Sequence, residues 1–138
     1  MTRHALVPLG WLKAHEEYVE ARVVELVERF RRTGLVDYAV VADRETGTVI
    51  DGHHRLEALR RLGAHLVPAV LVDYRDASIG IRAWREDEPV PTKDEVMARA
   101  SRGHLYPPKT TRHDFVRLLE PADVPLARLR EAPQAAEA

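Results

Sequence analysis

Apolar residues change their spacing several times along this chain, and each change predicts a new element. Residues 5–12 read as a short strand. After His15-Glu16-Glu17 the positions Val19, Val23, Val24, Leu26, Val27 and Phe30 recur at helical spacing, and Gly34 ends the run as a C-cap. Ala39 to Ala42 and Thr48 to Ile50 read as two strands joined by the polar turn 43–47, which predicts a hairpin. A second helix over 53–62 turns Leu56, Leu59 and Leu62 inward, and the unbroken apolar run Val67 to Val72 fits a strand buried on both faces. Ile79 to Trp84 reads as a further strand. The acidic and proline-rich stretch 86–91 interrupts the pattern. Thr92 then opens a third helix to about Ser101, with Glu95 at the capping-box position and Gly103 as the stop. Residues 122–138, rich in Ala, Pro and Glu, predict a short helix near 125–131 and a frayed end, beyond a single mixed α/β domain over 1–121.

Composition narrows the class without choosing a function. The 138 residues are 45% hydrophobic and 31% charged, with a formal net charge of -1, so the chain as a whole offers no attractive field to nucleic acid or a membrane surface. No apolar run reaches the roughly 18 residues that span a bilayer, and no secretory pattern is present. Zero cysteines remove disulfide and thiol chemistry, and a cytoplasmic location is expected.

Two stretches carry candidate chemistry. Residues 50–63 run from an apolar strand end through Gly52 directly into a helix that opens with His53, His54 and Arg55. A helix start offers unpaired backbone N–H groups and a partial positive charge, which suit a phosphate. Gly52 lets a ligand approach the backbone, Arg55 can fork onto phosphate oxygens, and Asp51 stands where a metal or a reacting hydroxyl can be held. The plain alternative is that Asp51 caps a surface helix and the histidines are solvated. The second stretch, 106–113, sets Lys109, Thr110, Thr111, Arg112 and His113 behind Pro107-Pro108 and can bind phosphate or carboxylate. With no apolar periodicity of their own, residues 107–113 are expected to form a mobile lid; the plain alternative is a solvated connection.

These residues resemble a known family. Gly52-His53-His54-Arg55-Leu56-Glu57-Ala58 fits the Gly-x-x-Arg-x-x-Ala box of the ParB/sulfiredoxin-like nucleotide-binding fold, and the longer Asp-Gly-His-His-Arg form is similar to the free L-serine kinases of that superfamily. Lys13-Ala14-His15-Glu16 resembles the Lys-Pro-His-Glu segment of those kinases. Pro91-Thr92-Lys93 through Arg102-Gly103, with Pro108 to His113, resembles their C-terminal signature. The resemblance covers most of residues 10–113 and implies a compact α/β domain of that fold, a small mixed sheet with packed helices.

It also implies phosphoryl transfer from ATP or ADP to the hydroxyl of free L-serine, giving O-phospho-L-serine for cysteine biosynthesis. Such chemistry is largely positioning and charge neutralisation. Under this reading Glu16 is the general base, and Asp51 orients the hydroxyl or holds Mg²⁺ on the phosphates. Gly52, His53, His54 and Arg55, with Lys109, Thr110 and Thr111, bind the nucleotide phosphates. Arg112 and His113 bind the serine side of the site, and Trp84 packs over the amino acid. Serine and an adenine nucleotide are the expected partners, with neither membrane nor nucleic acid.

The chain departs from the family pattern at Ala14, where a proline is usual, and at Tyr38-Ala39, where Lys-Pro is common. Only about eight residues separate Trp84 from Lys93, a minimal connection. The competing reading is a ParB-like nucleotide-binding regulator or DNA-associated protein without kinase activity. A sulfiredoxin-like reductase is excluded by the missing cysteine, and a zinc hydrolase is disfavoured because adjacent helical histidines point about 100° apart.

Overall fold

The computed structural model describes residues 3–84, 87–114 and 121–131. Its centre is a four-stranded sheet in the order β1-β5-β3-β4, made of Arg3–Pro8 (β1), Leu66–Val72 (β5), Val40–Asp43 (β3) and Val49–Asp51 (β4). β3 and β4 form the expected antiparallel hairpin, β5 lies parallel to β3, and β1 is antiparallel to β5 at the edge. The first strand is shorter than its apolar run predicts: Pro8 ends it, and Leu9–Trp11 make a single 3₁₀ turn.

Alternation along the inner strands explains why they read as continuous apolar runs. Val40 and Ala42 of β3 and Val67, Ala69 and Leu71 of β5 face one core. There they meet Val23, Leu26 and Phe30 of α1 (Glu20–Thr33) and Leu56 and Leu59 of α2 (His53–Arg61). Val41, Val70 and Val72 face a second core with Tyr74, Val96 and Tyr106, covered by α3 (Lys93–Arg102). Burial on both faces is what an inner sheet requires. Gly34 closes α1 at a φ of +70°, and Thr92 and Glu95 form the predicted capping box on α3.

Two small ribbons complete the described fold. Leu35–Tyr38 (β2) pairs with Pro121–Pro125 (β8), and Gly80–Ala83 (β6) pairs with Thr111–Asp114 (β7). Neither strand of the first ribbon was visible in the pattern, because two prolines bound β8 and β2 follows a helix stop directly. The short last helix, α4 (Leu126–Leu129), forms where expected and sends Leu126 and Leu129 into the first core. Residues 132–138 of the expected frayed end lie outside the described residues. The expected lid is overturned in part: Thr111 to Asp114 are strand, with main-chain pairing to β6.

Candidate active site

The strand-to-helix turn at Gly52 and the loop before β7 face each other across a cleft of about 360 Å³. Between them runs the segment 13–19, held on one side by the backbone of β4 and on the other by Tyr106. Val49 N–H donates to Lys13 C=O, Tyr106 N–H to His15 C=O, and Glu17 N–H to Tyr106 C=O. Glu16 is thereby fixed at the cleft wall. Its Oε1 accepts the N–H groups of Thr110 (3.1 Å) and Thr111 (2.8 Å) and the Thr111 hydroxyl (3.0 Å), whereas among the described residues Oε2 accepts only Lys109 N–H (3.1 Å). Lys109 sits at a φ of +61°, a left-handed conformation that turns successive amides toward one anion. Burial raises the Glu16 carboxyl above its usual range, and the four donors pull against that rise. The result is a carboxylate with one well-satisfied oxygen and one oxygen with capacity to spare.

Across the cleft, α2 starts without a side-chain cap at Gly52, and its first backbone bond runs from Leu56 N–H to Gly52 C=O. The amides of its first turn are therefore open to an anion, as the sequence predicts. The two histidines do something the sequence did not show. His53 Nε2 accepts His15 N–H (3.3 Å) and His54 Nε2 accepts Val19 N–H (3.0 Å), so both side chains pin the segment that carries Glu16. A ring nitrogen that accepts an N–H cannot hold a proton, so each neutral ring bears its hydrogen on Nδ1. Burial pushes both side chains below the usual histidine range, His53 furthest, with His15 and His113 adding to its shift and Arg22 and Arg55 to that of His54. Toward a phosphate each ring therefore offers a neutral Nδ1–H donor.

Asp51, at the end of β4, lines the cleft, and burial raises its carboxyl against the opposing charge of Arg55. Trp84, Arg112 and His113 also line it. The Trp84 indole donates to Thr111 C=O (2.9 Å), Arg112 stacks on its ring at 5.1 Å, and His113 Nε2 meets the Tyr74 hydroxyl at 2.6 Å. Arg55 does not line the cleft. Its guanidinium lies 5.3 Å over the Tyr38 ring, with Nε 3.5 Å from Asp37, because the helix turns this position toward β2. Thr110 and Thr111 are also corrected: their amides and the Thr111 hydroxyl are spent on Glu16, and the Thr110 hydroxyl on Pro107 C=O. The anion this loop cradles is the protein's own glutamate. Sequence reading missed Arg22, which lines the cleft from the first turn of α1 beside the apolar position Val23. A wider groove of about 780 Å³ lies beyond Tyr106 and Thr110, and its Glu95 is committed to the cap of α3.

No family model matches the chain. Over 83 residues it is 36% identical to a protein of Staphylothermus marinus named ATP-dependent L-serine kinase, covering 57% of this chain and 33% of that protein. Over 85 residues it is 27% identical to the ADP-dependent L-serine kinase SerK of Thermococcus kodakarensis, covering 59% and 35%. The matched stretch spans about a third of the length of these curated relatives. A solved free serine kinase in complex with AMP superposes with a TM-score of 0.82 at 19% identity, covering 91% of this chain and 93% of that one. Its fold is that of the free serine kinases.

In this fold the buried His15 and the half-buried His53 and His54 couple site and stability. His15 is pushed from 6.5 down to about 4 by burial, and His53 and His54 move the same way. The unfolded chain binds those protons first as the pH drops, so the stability they contribute is complete above about 6.5 and is lost progressively toward pH 4. Glu16 and Asp51, both raised, act oppositely and offset part of the loss. Urea unfolding at stepped pH is expected to show a midpoint that falls from pH 7 to pH 5. A flat midpoint across that range contradicts the buried neutral rings.

Proposed function

We propose that this chain is a free L-serine kinase that transfers a phosphoryl group from ATP or ADP to the serine hydroxyl, giving O-phospho-L-serine for cysteine biosynthesis. The observation that carries this reading is Glu16: a carboxylate with one oxygen that accepts a single described donor, set in a cleft opposite an uncapped helix start. The serine hydroxyl oxygen attacks the terminal phosphorus, the bond from phosphorus to the leaving phosphate oxygen breaks, and the hydroxyl proton passes to Glu16 Oε2. The open amides of α2 and the His54 Nδ1–H bind the phosphates, with Lys109 closing from the other side. Arg112 stacked on Trp84 faces the serine carboxylate.

Mg²⁺ is part of this proposal. Among the described residues no three His, Asp or Glu side chains converge to cage a metal, but Mg²⁺ characteristically takes one or two carboxylates and completes its shell with phosphate oxygens and water. Asp51 with a bound nucleotide fits that donor set, and the ion there would neutralise charge on the transferring group. Arg55 is assigned to the scaffold. Arg55→Lys is expected to leave nucleotide affinity nearly unchanged in calorimetric titration while costing about 1 kcal/mol of stability through the lost Tyr38 stacking and Asp37 contact. A loss of ~1–3 kcal/mol in binding would place it back on the phosphates.

The deciding experiment incubates the protein with ATP or ADP, Mg²⁺ and a panel of hydroxyl amino acids, with mass spectrometry for phosphoserine. Phosphoserine from either donor supports the reading and identifies the nucleotide. Nucleotide binding without any phosphorylated amino acid favours the regulator instead.

A further inference from the structure

His15 has no exposed surface and no part in the transfer just described, yet its ring touches the same hydroxyl as the base. Its Nδ1 lies 2.8 Å from the Val49 carbonyl oxygen, which only accepts, so the ring's hydrogen is on Nδ1. Burial keeps the ring neutral, and Nε2 is therefore a bare acceptor. That nitrogen is 3.0 Å from Thr111 Oγ1, which is also 3.0 Å from Glu16 Oε1. One hydroxyl hydrogen stands between two acceptors.

The charge state of Glu16 decides where that hydrogen goes. An ionised carboxylate is the stronger acceptor, so it takes the hydroxyl and leaves His15 Nε2 without a donor in a dry site. Once Glu16 is protonated, Oε1 still has the amides of Thr110 and Thr111, and the hydroxyl is worth more on the imidazole. We propose that His15 is a positioning residue that raises the proton affinity of Glu16 through Thr111, whose hydroxyl swings from carboxylate to imidazole as Glu16 gains a proton. The inference rests on Glu16 as the base. In the transfer step the substrate O–H breaks and its proton resides on Glu16 Oε2; His15 gains no proton, only a hydrogen bond.

Other groups face this unit and stay in place in every variant below. His15 packs edge-on against His53, His113 and Tyr106, with ring centroids at 4.5, 5.7 and 6.4 Å. Glu16 shares its cleft with Glu17, Arg22, Asp51, His54, Lys109 and Arg112. A comparison between variants therefore isolates the hydroxyl.

The test is the titration of the Glu16 carboxyl, followed by carbon NMR in nucleotide-free protein. His15→Phe removes the competing acceptor, commits the hydroxyl to the carboxylate and is expected to lower the midpoint by about one pH unit. In a Thr111→Val background the same change is expected to have no effect, and in Thr111→Ser the full effect returns. Equal shifts in the wild-type and Thr111→Val backgrounds would overturn the proposal, since His15 would then act by packing alone. Because His15→Phe also strips Val49 of its donor, a second measurement uses the wild-type protein. The nitrogen resonance of His15 Nε2 is expected to move to that of a hydrogen-bonded acceptor as Glu16 gains its proton. A resonance that ignores Glu16, or ring protonation over the same range, overturns the proposal. None of these titrations requires turnover, so absent phosphoserine with intact coupling would sink the kinase reading and spare only the coupling, whereas phosphoserine formation without coupling would sink this proposal alone.

Discussion

Glu16→Gln is expected to lower phosphoserine turnover by at least ~100-fold while nucleotide affinity changes little. The amide keeps the size of the side chain but offers no site for the hydroxyl proton. It also meets a fixed set of donors: with its oxygen in the Oε1 position, where three donors point, its NH₂ faces Lys109 N–H and opposes another donor. The loss therefore falls on the chemical step and on the loop that shapes it, not on the phosphate site at α2. Glu17→Gln is the internal control, since Glu17 is exposed and engages Tyr106 only through its backbone. Steady-state rates with nucleotide titrations on both variants check the assignment, and a severe Glu17 variant beside a mild Glu16 variant would reverse it.

Gly52→Ala is expected to destabilise the fold by about 2–4 kcal/mol, the largest single-residue effect on stability foreseen here. Gly52 holds a φ of +104°, which a side chain resists, and a Cβ there would stand 2.8 Å from Val40 Cγ1 and 3.2 Å from Val40 Cα. Val40 belongs to β3 in the first core and cannot retreat. The strand end and the helix start would have to separate, carrying His53 and His54 away from His15 and Val19. Chemical denaturation measures the cost. A cycle with Val40→Ala separates the Cγ1 clash, which that change relieves, from the backbone strain and the approach to Val40 Cα, which it does not.

Most of the scaffold was legible because its signals are local. The hairpin, α2, β5 and the capped α3 each announce themselves within a dozen residues through period, cap or turn. The ribbon β2–β8 did not, since its partners are far apart in sequence and its prolines read as breakers. The site was legible in its residue types and not in their pairings. His53 and His54 stand at an open helix start, as their position after Gly52 implies, but nothing near them indicates that amides of His15 and Val19 would arrive as donors. Likewise Lys109 to Thr111 read as an anion cradle, and they are one; that the anion is Glu16 depends on a contact spanning more than ninety residues.

The segment 13–19 has no regular structure of its own, and the bonds that place Glu16 reach 34 to 96 residues along the chain. Closing loops of that length is entropically slow compared with forming the local hairpin and helices. The expected order in folding is that the local hairpin and helices form before the base is delivered by docking of the 106–111 stretch. Activity should therefore recover later than native far-ultraviolet signal during refolding, and the amides of Lys109 and Thr111 should gain exchange protection with the activity, not with the β3–β4 hairpin.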